Sequence, residues 1–370
     1  MAQPALIFIP DISGFTQFVT STEIEHSNHI VKELLEVLLE NNKLGLTVSE
    51  IEGDAILFYK IGSPPTLPEI LAQVKRMFLS FHGYLQIIER DRVCQCGACQ
   101  AAHKMTLKFI SHYGEINEVS VQQFKNIMGK DVILAHRLLK SGIPESEYFV
   151  STKSYFDALT EIDYDEQFVF SEHVEVYDNF GEVFTKYTSL NILRNEIPPP
   201  KPNKFELKTD RKPDKSFEIE APLNLVHSLL IDQKRKIEWI KDLKAIKEDY
   251  SINRVNGSHT CIFDNFEIDF TTIANKESDG ITYYSEQSKV FGDLYFITDY
   301  KLERLGEATN ISIATYPALY EVRGNGKIKK NINRIKSFFV LFIIKRNSVK
   351  GFYDFKKFCE NEYLKNKENL

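Results

Sequence analysis

The sequence predicts an α+β fold divided between two domains. In the first half of the chain, short apolar segments of β-type composition alternate with longer segments whose apolar residues recur at helical spacing. The segment 196–204 then holds four prolines in nine residues, and such stretches are stiff, extended and poor at joining a core. Because 370 residues exceed what one ordinary core supports, we expect domains at 1–195 and 205–370, joined by a linker at 196–204.

The elements of the first domain follow from local patterns. A proline at position 68 stands where the first turn of a helix tolerates it, and Gly114 marks a turn between two β-type segments. We expect helices over one face of a mostly antiparallel sheet. The predicted strands cover 6–9, 46–52 and 55–59, a hairpin covers 105–112 and 116–121, and helices cover 24–39, 68–88 and 132–139.

The second domain opens with a strand that Ala221-Pro222 ends, followed by two short helices, the second of which ends at Trp239. Turn-forming pairs such as Asn256-Gly257 separate the β-type segments that follow. A long helix over about 327–360 closes the chain. The predicted strands between them cover 247–252, 259–263, 266–274, 281–287, 295–304 and 310–316.

Composition and charge argue against several classes of protein. The net charge of −6 disfavours binding to nucleic acid through phosphate contacts. The longest apolar run, 338–344, is far shorter than the roughly 20 residues of a spanning helix. Five cysteines in so long a chain do not suggest a disulfide framework, and the start of the chain lacks a basic leader region. We therefore expect a soluble cytoplasmic protein with no membrane span.

Two acids lie at predicted strand ends. Asp11 follows the apolar run 6–9, and Asp54 lies in the turn between the next two strands. Carboxylates on adjacent strand ends can hold divalent ions, as in nucleoside triphosphate sites, and the small residues at 13–16 would let backbone amides face a phosphate. The alternative is that both acids are ordinary turn residues, because Gly-Asp is common in hairpin turns.

Four motifs, in order, resemble those of class III adenylate and guanylate cyclases. FIPDISGFT and IEGDAILFY look like the two metal-binding motifs, LKFISHYGEI is similar to the following strand, and GKDVILAHRL resembles the helix that carries a catalytic arginine. The resemblance covers about residues 4–192 and implies a ferredoxin-like cyclase catalytic-domain fold. The chain also looks like an uncharacterised bacterial family of cyclase-like proteins.

The resemblance implies a site for a purine nucleoside triphosphate with Mg²⁺ or Mn²⁺. It assigns the metal to Asp11, Ile12 and Asp54, and transition-state stabilisation to Arg137. In such cyclases the site is built across a head-to-tail dimer, so a homodimer is expected to form two sites. The nucleotide-binding positions that it implies are Gly14, Phe15, Thr16, Glu50, Lys108 and Asn126.

The sequence departs from the cyclase pattern at several of these positions. Ile133 stands where the family has an asparagine that orients the ribose, and Lys108 replaces an arginine. Glu50 and Asn126 align with the pair that reads the base; the glutamate hints at GTP, Asn126 does not confirm it, and both ATP and GTP stay open. Because positioning supplies much of the rate, turnover is expected to be low. The leading interpretation is a divergent cyclase-like protein; the alternative is a catalytically inactive scaffold or a small-molecule or lipid-binding protein.

A cysteine cluster lies between the second and third motifs. Residues 94–103 read CQCGACQAAH, so that Cys94, Cys96, Cys99 and His103 offer three thiolates and an imidazole. Such ligands suit tetrahedral Zn²⁺. The alternatives are a redox-active dithiol and ordinary reduced cysteines.

The second domain resembles the START-like (SRPBCC, helix-grip) superfamily in its order of elements and in its strand-Ala-Pro-helix opening. That resemblance implies a curved sheet around the last helix, with an apolar cavity for a lipid or another apolar small molecule that regulates the first domain. The alternative is that the aromatic residues simply fill the core. The side chains expected to line the cavity are Phe270, Tyr284, Phe296, Phe338 and Phe342.

Overall fold

The computed structural model describes residues 2–14, 18, 24–93, 101–122, 124–201, 211–248, 254–290, 294–318 and 327–368, and for 24–26, 121, 124–125, 248 and 327–338 it describes the backbone alone. The chain forms two compact units. Unit 1 comprises 1–90 and 96–200, and unit 2 comprises 91–95 and 201–370. Val93 explains why this short segment belongs to unit 2, because its fully buried side chain packs in the core of that unit.

Unit 1 alternates strands and helices, which confirms the predicted α+β class. At the start of its second helix, the Glu69 carboxylate accepts hydrogen bonds from the N–H and the hydroxyl of Thr66, and the first of these is one half of a capping box. The strands are β1 (Gln3–Ser13), β2 (Thr47–Glu52), β3 (Ala55–Ile61), β4 (Thr106–Val121), β5 (Phe124–Met128), β6 (Tyr148–Thr152), β7 (Ser171–Tyr177) and β8 (Gly181–Ser189). The helices are α1 (Ile24–Glu40), α2 (Leu67–Asp91), α3 (Lys130–Leu138) and α4 (Lys153–Asp157), with 3₁₀ turns at Ala102–Lys104 and Asn191–Glu196.

The sheet of unit 1 has the strand order β2-β3-β1-β4-β6-β8-β7, with β5 paired beside β4. Among the strand pairs that the structure describes in this sheet, β4 and β6 alone run parallel. The side chains of β1 are buried on both faces: Ile7 packs with α3 on one face, and Phe8 contacts Phe58 and Phe109 on the other. The expectation of a sheet covered on one face is therefore wrong at β1, because a continuous apolar run requires cover on both sides.

The predicted hairpin at Gly114 is wrong, because β4 runs through this residue as one strand. Gly114 pairs with Ala5 of β1, and a Cβ atom there would lie 2.5 Å from the carboxyl carbon of Asp131. Asp131 accepts a hydrogen bond from the N–H of Glu115 at 2.8 Å. Glycine is thus required for close approach of a helix side chain to the strand rather than for a turn.

Four strands of unit 1, β5 to β8, were not predicted from the sequence. The residues of β7, SEHVEVY, are largely polar and remain partly or fully exposed at the edge of the sheet. An edge strand need not alternate apolar and polar residues, because neither of its faces is fully buried. The short strands β6 and β8 complete the sheet between β4 and β7.

Unit 2 follows the predicted order of elements. Its strands form an antiparallel sheet with the order β10-β11-β12-β13-β14-β15-β9. Phe352, Phe355 and Cys359 of the last helix are buried against this core, and Trp239 packs on both phenylalanines. The START-like assignment itself stays a prediction. The elements are β9 (Lys215–Ile219), α5 (Leu223–Ile231), α6 (Lys236–Trp239), β10 (Leu243–Glu248), β11 (Ser258–Phe263), β12 (Glu267–Ser278), β13 (Ile281–Val290), β14 (Leu294–Leu305), β15 (Ala308–Pro317) and α7 (Lys327–Glu368).

A buried charged network lies inside unit 2. The Nζ of Lys236 donates to Oε1 of Glu286 at 2.8 Å and to Nε2 of His259 at 3.3 Å, and the Tyr284 hydroxyl donates to the same glutamate oxygen. Burial, together with the charge of Lys236, lowers the pKa of His259 to about 3. Burial alone would raise the pKa of Glu286, but the charges of Lys236 and the other partners lower it. The network is therefore built for a neutral histidine and an ionised glutamate.

Unit 2 is predicted to lose stability on acidification. The ordinary pKa of a histidine is about 6.5. Below that pH, His259 is protonated in the unfolded chain but stays neutral in the folded chain. The free energy of unfolding therefore falls by about 1.4 kcal/mol for each unit by which the pH is lowered. Glu286 acts in the same direction at lower pH, because its folded pKa is also lowered. The measurement is urea unfolding at pH 7, 6 and 5, followed by the fluorescence of Trp239, the only tryptophan of the chain.

The matched control for this experiment is His259→Gln, because buried His227 also has a lowered pKa and adds a slope of the same sign. The difference in unfolding free energy between wild type and variant should shrink as the pH falls. Parallel pH profiles for the two proteins would show that His259 does not titrate differently in the folded and unfolded states.

Candidate functional site

Two acids lie at the same end of the neighbouring strands β1 and β3, and this end is here called the sheet edge. Asp11 pairs with Ala55 on β3 and with Lys108 on β4, and Asp54 directly precedes Ala55 in the chain. The N–H of Ile12 donates to the main-chain oxygen of Asp54 at 3.0 Å, which fixes the hairpin turn against β1. The side chain of Asp11 is buried at this point. A polar group so placed requires a compensating partner.

Lys108 is a partner of Asp11. Its Nζ lies 3.0 Å from Oδ2 of Asp11 and donates to the main-chain oxygen of Leu139 at 2.7 Å. These two contacts hold the ammonium group inside unit 1, between β1 and the end of α3. The resemblance implies that Lys108 binds the nucleotide, whereas in this structure its ammonium group neutralises a buried carboxylate.

The pKa of Asp54 depends on the charges of Asp11 and Lys108. Burial raises the pKa of Asp54 above its ordinary value, the negative charge of Asp11 raises it further, and the positive charge of Lys108 opposes both effects. The two acids therefore repel each other across the sheet edge. An additional cation would relieve that repulsion.

Gly14 follows the end of β1 with a φ of +88°, a backbone conformation that glycine adopts without strain. Its carbonyl accepts a hydrogen bond from the N–H of Phe18 at 3.0 Å. Phe15 and Thr16 lie outside the described residues. The phosphate contact expected for 13–16 stays a prediction.

Glu50 and Asn126, which the resemblance assigns to base recognition, lie side by side. Nδ2 of Asn126 donates to Oε2 of Glu50 at 3.2 Å, and Oδ1 of Asn126 accepts a hydrogen bond from the Ser49 hydroxyl at 2.6 Å. Ser49 also lies 3.3 Å from the N–H of Ile127 on β5. The asparagine thus orients the glutamate, and the serine orients the asparagine.

Glu52 and His136 join this region and were given no role by the sequence motifs. Nδ1 of His136 lies 3.3 Å from Oε2 of Glu52, and one potential ligand atom from each of Glu50, Glu52 and His136 lies within 4.8 Å of the others. Burial, together with the neighbouring Glu50, raises the pKa of Glu52. The sequence did contain a signal, because residues 50 and 52 share one face of a strand; the contact with His136 depends on where α3 packs.

Arg137 and Ile133 lie one helical turn apart on the exposed side of α3. The Arg137 guanidinium lies 5.8 Å from the ring centroid of Tyr177, and the Tyr177 hydroxyl donates to the main-chain oxygen of Arg137 at 3.1 Å. Ile133 is 54% exposed. Both side chains are accessible to a partner molecule.

His112 connects β4 to its neighbours rather than facing a site. Nε2 of His112 lies 3.2 Å from Oδ1 of Asp131, and Nδ1 lies 2.8 Å from the hydroxyl of Thr152. Burial would raise the pKa of Asp131, but His112 and the N–H of Glu115 outweigh it and lower that pKa. We assign His112 a structural role.

Of the four side chains in the cysteine cluster, His103 lies within the described residues. Cys94, Cys96 and Cys99 lie outside the described residues. His103 is exposed in the 3₁₀ turn before β4. The Zn²⁺ site stays a prediction, and elemental analysis of the purified protein for zinc tests it.

The aromatic residues expected to line a cavity in unit 2 do not share one environment. Tyr284 and Phe296 are fully buried, and Tyr284 stacks on Tyr300. Phe270 stacks on His259 of the charged network. Phe342 is 67% exposed, so it does not lie with Tyr284 and Phe296, and the side chain of Phe338 lies outside the described part of the chain. The buried residues agree with the alternative that they fill the core.

Comparison with known proteins gives two kinds of similarity. A family described as "Protein of unknown function (DUF2652)" matches residues 31–148. An uncharacterized protein of Mycobacterium tuberculosis, Rv2561/Rv2562, is 28% identical over 171 residues, which is 46% of this chain and 77% of that protein.

Solved structures to which the chain is similar over about half its length are adenylyl and guanylyl cyclase domains. The catalytic core of a rhodopsin-guanylyl cyclase with converted specificity, in complex with ATPαS, is 15% identical with a TM-score of 0.38, over 51% of this chain and 98% of that one. The guanylate cyclase domain of RhGC from Catenaria anguillulae, in complex with GTP, is 16% identical with a TM-score of 0.37 and the same coverage. The adenylyl cyclase CyaB from P. aeruginosa is 14% identical with a TM-score of 0.35, over 57% and 98%.

Two substitutions beside Asp54 are predicted to shift its pKa in opposite directions. Asp11→Asn removes a neighbouring negative charge and should lower the pKa of Asp54 toward its ordinary value, whereas Lys108→Met removes a positive charge and should raise it further. The measurement is the ¹³C-carboxyl chemical shift of Asp54 as a function of pH. Asp163→Asn, on an exposed loop, is the control and should have no effect. Shifts of the same sign in both variants would contradict the described geometry.

Proposed function

We propose that unit 1 binds a purine nucleoside triphosphate together with a divalent cation, Mg²⁺ or Mn²⁺. The observation that carries this proposal is the like-charged pair Asp11 and Asp54 at one sheet edge, where burial and mutual repulsion raise the pKa of Asp54. The two carboxylates and the main chain at Ile12 are the groups that would hold the cation. When bound, such an ion balances the negative charge of phosphate oxygens.

Lys108 favours one cation at this edge rather than two. Its ammonium already contributes one positive charge 3.0 Å from Oδ2 of Asp11, and a second ion against the same carboxylate would meet that charge at close range. The negative charge of Asp54 is less fully compensated, so that a cation would stabilise it more than it would stabilise Asp11. We therefore propose a single divalent ion nearer to Asp54.

Glu50 favours guanine over adenine in the proposed site. A carboxylate accepts hydrogen bonds only, and guanine presents N–H donors at the ring positions where adenine presents a bare ring nitrogen. Asn126 fixes Glu50 through its amide, which reduces the cost of orienting the acceptor. GTP is accordingly the proposed nucleotide.

A non-catalytic role is the second candidate, and Ile133 favours it. The side chain of isoleucine has no hydrogen-bonding group, so it cannot orient a ribose as the asparagine of cyclases does. Lys108 favours the same candidate, because it is held by Asp11 and Leu139. Binding and turnover must therefore be tested separately.

Nucleotide binding is predicted to require both the cation and Asp54. Fluorescent N-methylanthraniloyl-GTP should bind in the presence of Mn²⁺, and Asp54→Asn should weaken that binding by at least about tenfold, equivalent to about 1.4 kcal/mol. Asp163→Asn should bind like the wild type, and N-methylanthraniloyl-ATP should bind more weakly than the guanine nucleotide. Binding that is unaffected by removing the metal, or by Asp54→Asn, would contradict the proposed site.

Turnover is predicted to need two chains if it occurs. In a head-to-tail dimer, Asp54 and Arg137 would serve the same site from different subunits, so that Asp54→Asn and Arg137→Ala are each inactive alone. A mixture of the two should regain about a quarter of wild-type cyclic nucleotide formation, because half of the dimers carry one intact site of two. No product from the wild type with Mn²⁺ would favour the non-catalytic candidate, and no regain on mixing would contradict the shared site.

A further inference from the structure

The first part of α7 differs in charge from the rest of the chain. Residues 327–350, here called the basic segment, contain eight Lys or Arg residues and no Asp or Glu, although the whole chain has a net charge of −6. The same segment holds the longest apolar run, 338–344. Basic residues therefore flank an apolar centre on both sides. The eight are Lys327, Lys329, Lys330, Arg334, Lys336, Lys345, Arg346 and Lys350.

The C-terminal part of α7 carries the side chains of this helix that are buried in the core of unit 2. The helix has 42 residues and is about 63 Å long. Phe352, Phe355 and Cys359 are at most 4% exposed, and Lys345 pairs with Asp214 at 2.6 Å. No side chain described between 339 and 350 reaches that degree of burial.

One side of the basic segment is exposed along its whole described length. The exposed side chains recur at intervals of three and four residues, which places them on one helical face, whereas the intervening residues are half-buried. Two phenylalanine rings, each 67% exposed, and Ile343, 56% exposed, form its apolar end. We call this surface the outward face; it consists of Phe339, Phe342, Ile343, Arg346, Asn347 and Lys350.

This combination matches the chemistry of an anionic lipid surface. Aromatic and aliphatic side chains enter the boundary between headgroups and acyl chains, while Lys and Arg extend to the phosphates. A nucleic acid would offer phosphates but no apolar layer for Phe342 and Ile343. An apolar groove on a partner protein could accommodate the phenylalanine rings. It would not explain why the basic segment has eight basic residues and no acidic residue.

We propose that the outward face binds an anionic lipid membrane with α7 lying in the plane of the surface. None of the helices in the described part of the chain has the length and apolar character that crossing a membrane requires. The negative surface attracts the basic segment, and the apolar end of the outward face anchors it. This function is independent of the site in unit 1.

Cosedimentation of the full chain with vesicles tests the proposal. The protein should bind phosphatidylcholine vesicles that contain roughly 30% phosphatidylglycerol, and it should bind phosphatidylcholine alone at least about tenfold more weakly. Raising the NaCl concentration from about 0.1 M to about 0.5 M should release most of the bound protein. Equal binding to both kinds of vesicle, or to neither, would overturn the proposal.

Two pairs of variants separate the apolar and the charged parts of the outward face. Phe342→Ser should reduce partitioning at least about tenfold, while Leu364→Ser, at an apolar residue further along α7 that is 58% exposed, should not. Arg346→Glu with Lys350→Glu should abolish the preference for phosphatidylglycerol, while Lys357→Glu, exposed on the same helix, should not. Unchanged fluorescence of Trp239 confirms that each variant folds.

A second copy of the chain is the alternative occupant of the outward face. Sedimentation velocity without lipid would reveal it as a concentration-dependent dimer that Phe342→Ser dissociates. A dimer of that kind, together with absent vesicle binding, would show that a second copy of the chain covers the outward face and would overturn the lipid proposal.

Discussion

The burial of Asp11 at the end of the central strand is the constraint on which the candidate site depends. Because β1 pairs with β3 on one side and with β4 on the other, a charge at this position must be compensated from those strands or from an ion. Lys108 supplies one positive charge, and Asp54 adds a second negative charge nearby. The net result is one excess carboxylate at a sheet edge, which is the reason to expect a cation there.

Local signals predicted much of the fold, and tertiary contacts explain the errors. The apolar run of β1 and the proline near the start of α2 both act within a few residues. Gly114 was misread as a turn, because the reason for glycine is the approach of Asp131, 17 residues further along the chain. The strands β7 and β8 lack strong apolar alternation and are recognised by their pairing with each other.

The same limit applies to the site. Asp11 and Asp54 could each be predicted at a strand end from sequence, because each follows a β-type segment, but their proximity depends on the antiparallel pairing of β1 with β3. The contact between Lys108 and Asp11 depends on the register of β1 with β4, and that between Lys108 and Leu139 depends on where α3 ends. Neither is encoded locally. The grouping of Glu50, Glu52 and His136 likewise requires the packing of α3 beside β2.

The most direct measurement is the anomalous scattering of Mn²⁺ in crystals of the protein grown with GTP. If the excess charge of Asp11 and Asp54 attracts a cation, a single peak should lie at coordinating distance from the Asp54 carboxylate, with Lys108 still paired to Asp11. A peak only at Glu50, Glu52 and His136, or no peak in unit 1 under saturating Mn²⁺, would contradict the conclusion that these two acids form a metal and nucleotide site.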